Sequence, residues 1–107
     1  MEEQRVTVTI ENQVAIVRLN RPDKHNGMDI PMIEALIATA KRLKKNRDIR
    51  AVILAGEGPS FCAGIDTKTM FSGSPLKTAL AFMPLLKPAA NKYQNVCLIW
   101  RRLSVPV

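Results

Sequence analysis

The chain has 107 residues, 47% of them hydrophobic, and a formal charge of +7. That length and apolar content describe one globular domain, able to bury roughly 65% of its unfolded surface, and exclude a disordered chain. No apolar run approaches the roughly 20 residues a membrane helix needs, and the first ten residues are acidic and then alternating, unlike a secretory leader, so a cytoplasmic protein is expected.

Val6-Thr7-Val8-Thr9-Ile10 alternates apolar and polar side chains, the pattern of a half-buried strand. Glu11-Asn12-Gln13 is a turn, and Val14 to Leu19 is a second strand, so the two form an antiparallel hairpin. Asn20 to Met28 is then a long polar connection in which Pro22 excludes a central strand. Connections in compact domains are usually shorter, and one of this length invites a functional reading. Asp29 is placed to cap a helix, with Pro31 in its first turn. Ile30, Ile33, Leu36, Ile37, Ala40 and Leu43 follow at helical spacing, and Asn46 closes the run. Lys41, Arg42, Lys44 and Lys45 crowd its last turns, where cations complement the helix dipole. The ordinary reading of that cluster is a solvated helix end; a nucleic-acid surface would want more interleaved aromatics than this chain has.

Ala51 to Ala55 is apolar on both faces and reads as a short buried strand, stopped by Gly56, Gly58 and Pro59. Cys62-Ala63-Gly64 puts three small residues into a bend, and Asp66 is placed to cap a helix over Thr67 to Phe71. A strand that ends in a small-residue bend and opens a helix aims free N–H groups at one point, which is how a backbone oxyanion hole is built. Beyond it, Ser72-Gly73-Ser74-Pro75 breaks the helix, and Pro84 and Pro88 make the next stretch irregular. Ala89 to Leu103 can run as one helix with Tyr93, Val96, Cys97 and Trp100 on one face. Met70, Phe71, Phe82 and Met83 form a cluster that suits ordinary core or an acyl pocket. Cys62 and Cys97 lack metal-ligand spacing and read as free buried thiols, and a single histidine with two distant cysteines makes no zinc site. The glycines around residue 56 lack the spacing of a dinucleotide fingerprint.

The spelling of two stretches goes further. Phe61-Cys62-Ala63-Gly64-Ile65-Asp66 resembles the Phe-Cys-Ala-Gly-x-Asp signature of the crotonase superfamily, the enoyl-CoA hydratases and isomerases. Leu19-Asn20-Arg21-Pro22-Asp23-Lys24-His25-Asn26-Gly27-Met28 resembles that family's Leu-Asn-Arg-Pro-x-x-x-Asn-Ala-Leu, with Gly27 in place of the usual Ala and His25 where an apolar residue is common. The likeness runs from about Val6 to Val107 and corresponds to the N-terminal part of a family member. It implies an α/β fold of the crotonase-like ββα spiral type, incomplete in this chain, with residues 1–107 forming the N-terminal part of one domain.

The resemblance also implies a chemistry. The family binds an acyl-CoA thioester with its carbonyl oxygen facing two backbone N–H groups, which stabilise the enolate-like charge that develops there. By position, Ile65 N–H matches the first donor, and Gly64 shapes the bend that presents it. Lys24, His25 and Gly27 match the loop that holds the coenzyme A end. Ala63 matches backbone beside the adenine ring, and Asp66 and Thr67 flank the same site, Asp66 in a structural role. Coenzyme A enters as part of the substrate, with no separate cofactor and no metal. Homo-oligomers, trimers or hexamers, are the family habit. The second oxyanion donor and the catalytic acids of the family fall beyond Val107, so the 107-residue chain by itself is expected to bind without turning over. A contrasting reading is a small non-catalytic module for coenzyme A thioesters or a protein partner. The positive charge fits an anionic ligand, or part of a longer, balanced chain, better than nucleic acid.

Overall fold

A computed structural model describes residues 4–66 and 92–107. The hairpin is formed by β1 (Val6–Glu11) and β2 (Val14–Leu19), antiparallel, with Val8 opposite Val17. Its two-residue turn places Asn12 and Gln13 both at positive φ, 51° and 66°, the twist that matches a tight hairpin. The long helix α1 (Ile30–Lys45) then returns the chain so that β3 (Ala51–Gly56) lies parallel to β2. The sheet order is β1-β2-β3, and β2 is its centre.

Period two decides which side of β2 is core. Ala15, Val17 and Leu19 are buried, and their cross-strand neighbours extend the same face in rows: Ile10–Ala15–Val52, Val8–Val17–Leu54 and Val6–Leu19–Gly56. Against this face α1 lays Met32, Ile33, Leu36, Ala40 and Leu43, the stripe that its helical spacing predicts. The other face of the sheet carries Ile16 between Thr9 and Ile53. Ile53 is half exposed, so β3 is not buried on both faces as its apolar run implies; apolar composition alone does not say how many layers cover a strand.

Asp29 caps α1 as expected: its Oδ1 accepts the Met32 N–H at 2.9 Å. Asn46 ends the helix in extended backbone, its N–H returning to the Leu43 carbonyl. The C-terminal α-helix ends at Leu98, before the Leu103 that the apolar pattern predicts. Its described part is α2 (Lys92–Leu98), which tightens into a 3-10 segment at Ile99–Arg102. Val96, Ile99, Trp100 and Leu103 face the core, whereas Cys97 is exposed and Cys62 is half buried. The two thiols are free but not buried: Cys97 lies off the packed face that carries Val96, Ile99, Trp100 and Leu103, and Cys62 sits in the partly exposed bend. The Pro106 carbonyl accepts the Val52 N–H at 2.9 Å, so the end of the chain lies along the outer edge of β3. The expectations for a helix at Thr67 to Phe71, for Met70, Phe71, Phe82 and Met83, and for the start of the last helix at Ala89 lie outside the described residues.

Candidate functional site

The two motif stretches, separated by α1 and β3 in sequence, lie against each other. Residues 20–28 are not open loop: Pro22–Lys24 is one 3-10 turn, followed by His25 and Asn26, both in left-handed backbone at φ 51° and 56°. That reversal returns the chain so that the Asn26 and Lys24 N–H groups both donate to the Arg21 carbonyl.

The bend at 57–66 takes its shape from this template. The Ala63 N–H donates to the His25 carbonyl at 3.0 Å. The Met28 N–H donates to the Gly64 carbonyl at 2.7 Å, and the Asp66 N–H donates to the Met28 carbonyl at 2.9 Å. These two bonds form an isolated parallel bridge between Met28 and Ile65. In such a bridge the central residue's own N–H is not used and faces away from the partner strand. The Gly64 N–H reaches the Cys62 Sγ at 3.4 Å. Of the four successive N–H groups from Ala63 to Asp66, only that of Ile65 has no acceptor among the described residues. Gly64 reaches this geometry at φ 89°, a conformation that L side chains rarely adopt, and among the described residues no atom beyond its chain neighbours lies within 4 Å of where its Cβ would be. The glycine is therefore needed for backbone conformation and not for close packing.

Beneath the bend lies a buried ion network. The Arg21 Nη1 donates to Asp66 Oδ2 at 2.8 Å and to the Gly27 carbonyl at 3.0 Å, and stands 3.7 Å from Asp29 Oδ2. Arg5 joins it, its Nη2 donating to Asp29 Oδ2 at 2.9 Å. Among the described residues Arg5 and Arg21 thus face Asp29 and Asp66, and Arg21 links the capped start of α1 to the end of the bend. Burial pushes the Asp29 carboxyl up; the Arg5 hydrogen bond, the Met32 N–H and the charges of Arg21 and Arg5 outweigh it and hold the group below its ordinary value.

An apolar cavity of about 230 Å³ adjoins the bend, lined among the described residues by Met28, Phe61 and Cys62 on one side and by Leu36, Val96 and Trp100 on another. Lys24 and His25 are exposed on the rim of the template, and the His25 ring nitrogen Nδ1 lies 3.1 Å from Ser60 Oγ. Gly27 is buried beside Asp66. Ala63, Gly64 and Ile65 are exposed, and Thr67 lies outside the described residues. The structure thus gathers Lys24, His25, Gly27, Ala63, Gly64, Ile65 and Asp66 into one neighbourhood. Glu57 faces Arg18 at 3.6 Å, on the surface. No group of three or more His, Cys, Asp or Glu able to hold a metal occurs among the described residues.

Three residues that motif reading passes over prove central here: Arg21, Asn26 and Gly56. The first two belong to the quoted run at 19–28. What marks them is burial, since Asn26 is wholly buried and Arg21 nearly so. A buried polar side chain must be paired, and beside their local partners these two reach Glu57, Ser60 and Asp66, 31 to 45 residues away.

Comparison with known proteins places this arrangement among relatives. The family model described as enoyl-CoA hydratase/isomerase matches residues 9–96. A probable enoyl-CoA hydratase of Mycobacterium leprae is 33% identical over 95 residues, covering 89% of this chain and 32% of that protein. The human mitochondrial Delta(3,5)-Delta(2,4)-dienoyl-CoA isomerase is 37% identical over 109 residues, covering 99% of this chain and 33% of its own length. The crystal structure of an enoyl-CoA hydratase from Mycobacterium smegmatis superposes with a TM-score of 0.80 at 30% identity, over 98% of this chain and 38% of that one. The chain spans about a third of the length of the curated relatives described here.

Proposed function

The chain belongs to the enoyl-CoA hydratase/isomerase family, and from that premise we propose that it is the acyl-CoA-binding part of an enzyme of this type, polarising a thioester carbonyl with the Ile65 N–H. The observation that carries the reading is the hydrogen-bond accounting of the bend. Ala63, Gly64 and Asp66 spend their N–H groups on internal acceptors, and Ile65 does not. A preorganised donor of this kind needs no reorganisation when negative charge develops on the substrate oxygen, and removing one such donor typically costs about 10²–10³ in rate. The acyl chain would lie in the apolar cavity beside Met28 and Phe61, and the phosphates of coenzyme A would run toward the exposed Lys24.

The carboxylates near the bend supply no proton transfer in this reading. Asp66 is engaged by Arg21 and Glu57 faces Arg18. The proposed contribution of these residues is therefore binding and electrostatic stabilisation, and the choice between hydration and isomerisation falls to groups elsewhere in the enzyme.

The test is a titration of ¹⁵N-labelled chain with butyryl-CoA, following backbone amides. The Ile65 amide proton should move downfield on binding, together with smaller changes at Gly64 and Met28. Free coenzyme A should shift Lys24 and His25 but leave Ile65 nearly unmoved. An Ile65 amide that ignores the thioester while other residues bind it would defeat the assignment.

A further inference from the structure

We propose that Asn26 is the positioning residue for the thioester carbonyl, acting through the bend and not by touching substrate; this rests on the reading of the Ile65 N–H above. The bend at 57–66 forms no regular element after Gly56, yet its end holds the Ile65 N–H in a defined direction, between the two backbone bonds to Met28. Something outside it must hold it. Asn26 occupies the centre of that contact and is wholly buried.

Every polar group of its side chain is engaged. Oδ1 accepts the Arg21 N–H at 2.7 Å, closing the template on itself. Nδ2 donates to the Glu57 carbonyl at 3.0 Å and to the Ser60 carbonyl at 2.8 Å, so both hydrogens are used. The residues around it continue the seam: the carbonyl of His25 holds Ala63, and Met28 bridges Ile65. Gly56 makes the contact possible, because a Cβ there would stand 2.7 Å from Asn26 Nδ2. The carboxamide therefore fixes the start of the bend at 57 and 60 while Met28 fixes its end at 64 and 66, with Ile65 between.

The demand is chemically asymmetric. Two carbonyl oxygens face Nδ2, so this position needs a double donor on one side and an acceptor on the other. Aspartate has the same shape and supplies only the acceptor when ionised. Asn26→Asp would set a carboxylate against two carbonyls in a buried site, and the loop would have to move away. Protonation of that new carboxyl in acid would return one donor. Burial and the two carbonyls both favour its protonated form.

The experiment uses the 107-residue chain with butyryl-CoA labelled with ¹³C at the thioester carbonyl. The carbonyl shift reports polarisation, and a parallel titration reports affinity. Wild type should show a downfield shift of the bound carbonyl. Asn26→Asp at about pH 7.5 should lose most of that shift while its affinity falls only severalfold, and should recover part of it near pH 5, where carboxyls begin to protonate. A purely structural role would lower affinity and polarisation together, whereas a positioning role costs polarisation with affinity largely kept. Among the described residues, the other groups facing this site are the Arg21 guanidinium with its partners Asp29 and Asp66, the Glu57 side chain held by Arg18, and His25 against Ser60. Wild type measured over the same pH range accounts for all of them. Asn26→Ser, which carries no titrating group, should lose polarisation at both pH values without recovery, and it carries the comparison if Asn26→Asp does not fold. Full polarisation in either folded variant at neutral pH would overturn the inference while leaving the Ile65 assignment standing. Absence of polarisation in wild type itself would overturn both.

Discussion

Gly56 and Gly64 lie eight positions apart in one motif region, and alanine at each should act by a different mechanism and to a different degree. At Gly56 the added methyl would stand 2.6 Å from the Phe61 carbonyl oxygen, 2.7 Å from Asn26 Nδ2 and 2.8 Å from the Ser60 carbonyl oxygen. Two of those atoms are backbone and the third is a fully hydrogen-bonded buried amide, so no side chain can swing aside. Overpacking of this kind costs about 1–3 kcal/mol. Lifting the loop also breaks the two Nδ2 bonds, each worth roughly 0.5–1.5 kcal/mol. Reduced freedom of the unfolded chain returns about 0.4–1 kcal/mol. The net loss for Gly56→Ala is about 3 kcal/mol. At Gly64 no atom of the described residues beyond its chain neighbours lies within 4 Å of the added methyl, and the cost is that of the positive φ, about 1–2 kcal/mol less the same unfolded-state term. The net loss for Gly64→Ala is therefore about 1 kcal/mol. At this chain length each kcal/mol moves the melting temperature by roughly 4 °C, so the two variants should melt about 12 °C and about 4 °C below wild type. Thermal unfolding followed by circular dichroism decides the matter. Equal melting points for the two variants, or a Gly56→Ala protein as stable as wild type, would refute the packing argument.

Further outcomes follow from the same geometry. The folded-state Asp29 carboxyl lies below its ordinary value, so the stability it contributes is complete above the unfolded value near 3.8 and is lost as pH falls through the lower folded value. Urea melts should show an acid loss below about pH 4 that is smaller in Asp29→Asn. Trp100→Ala empties a core position between α1 and the end of the chain and should cost about 3–5 kcal/mol in the same melts. Thiol labelling of the native chain with a disulfide reagent should modify Cys97 before Cys62, because Cys97 is exposed and Cys62 is partly covered. In the complete enzyme, Gly64→Val should lower turnover more than stability, since the strain falls on the bend that presents the Ile65 N–H and no packed neighbour is displaced.

Local chemistry was sufficient for much of this protein. Alternation over Val6 to Leu19 specifies a hairpin, and the turn residues Asn12 and Gln13 accept the positive φ it needs. Asp29 caps α1 because a carboxylate three residues before a free N–H satisfies it wherever the helix lies. The spelling at 19–28 and 61–66 likewise singles out two stretches that the fold brings into contact. Tertiary structure decided what depends on partners far along the chain. That the Ile65 N–H has no acceptor among the described residues follows from Met28 taking the Gly64 carbonyl and the Asp66 N–H on either side, a contact 37 residues long in sequence that no local period encodes. Gly56 is fixed by what folds over it and Gly64 by its positive φ, and neither reason is marked in the sequence. Arg21 and Asn26 look like polar loop residues until burial obliges them to find acceptors, and those acceptors belong to a loop brought near by α1 and β3. Ile53 and Cys97 show the same limit in reverse, because an apolar side chain can fix its periodicity but not the number of layers that will cover it.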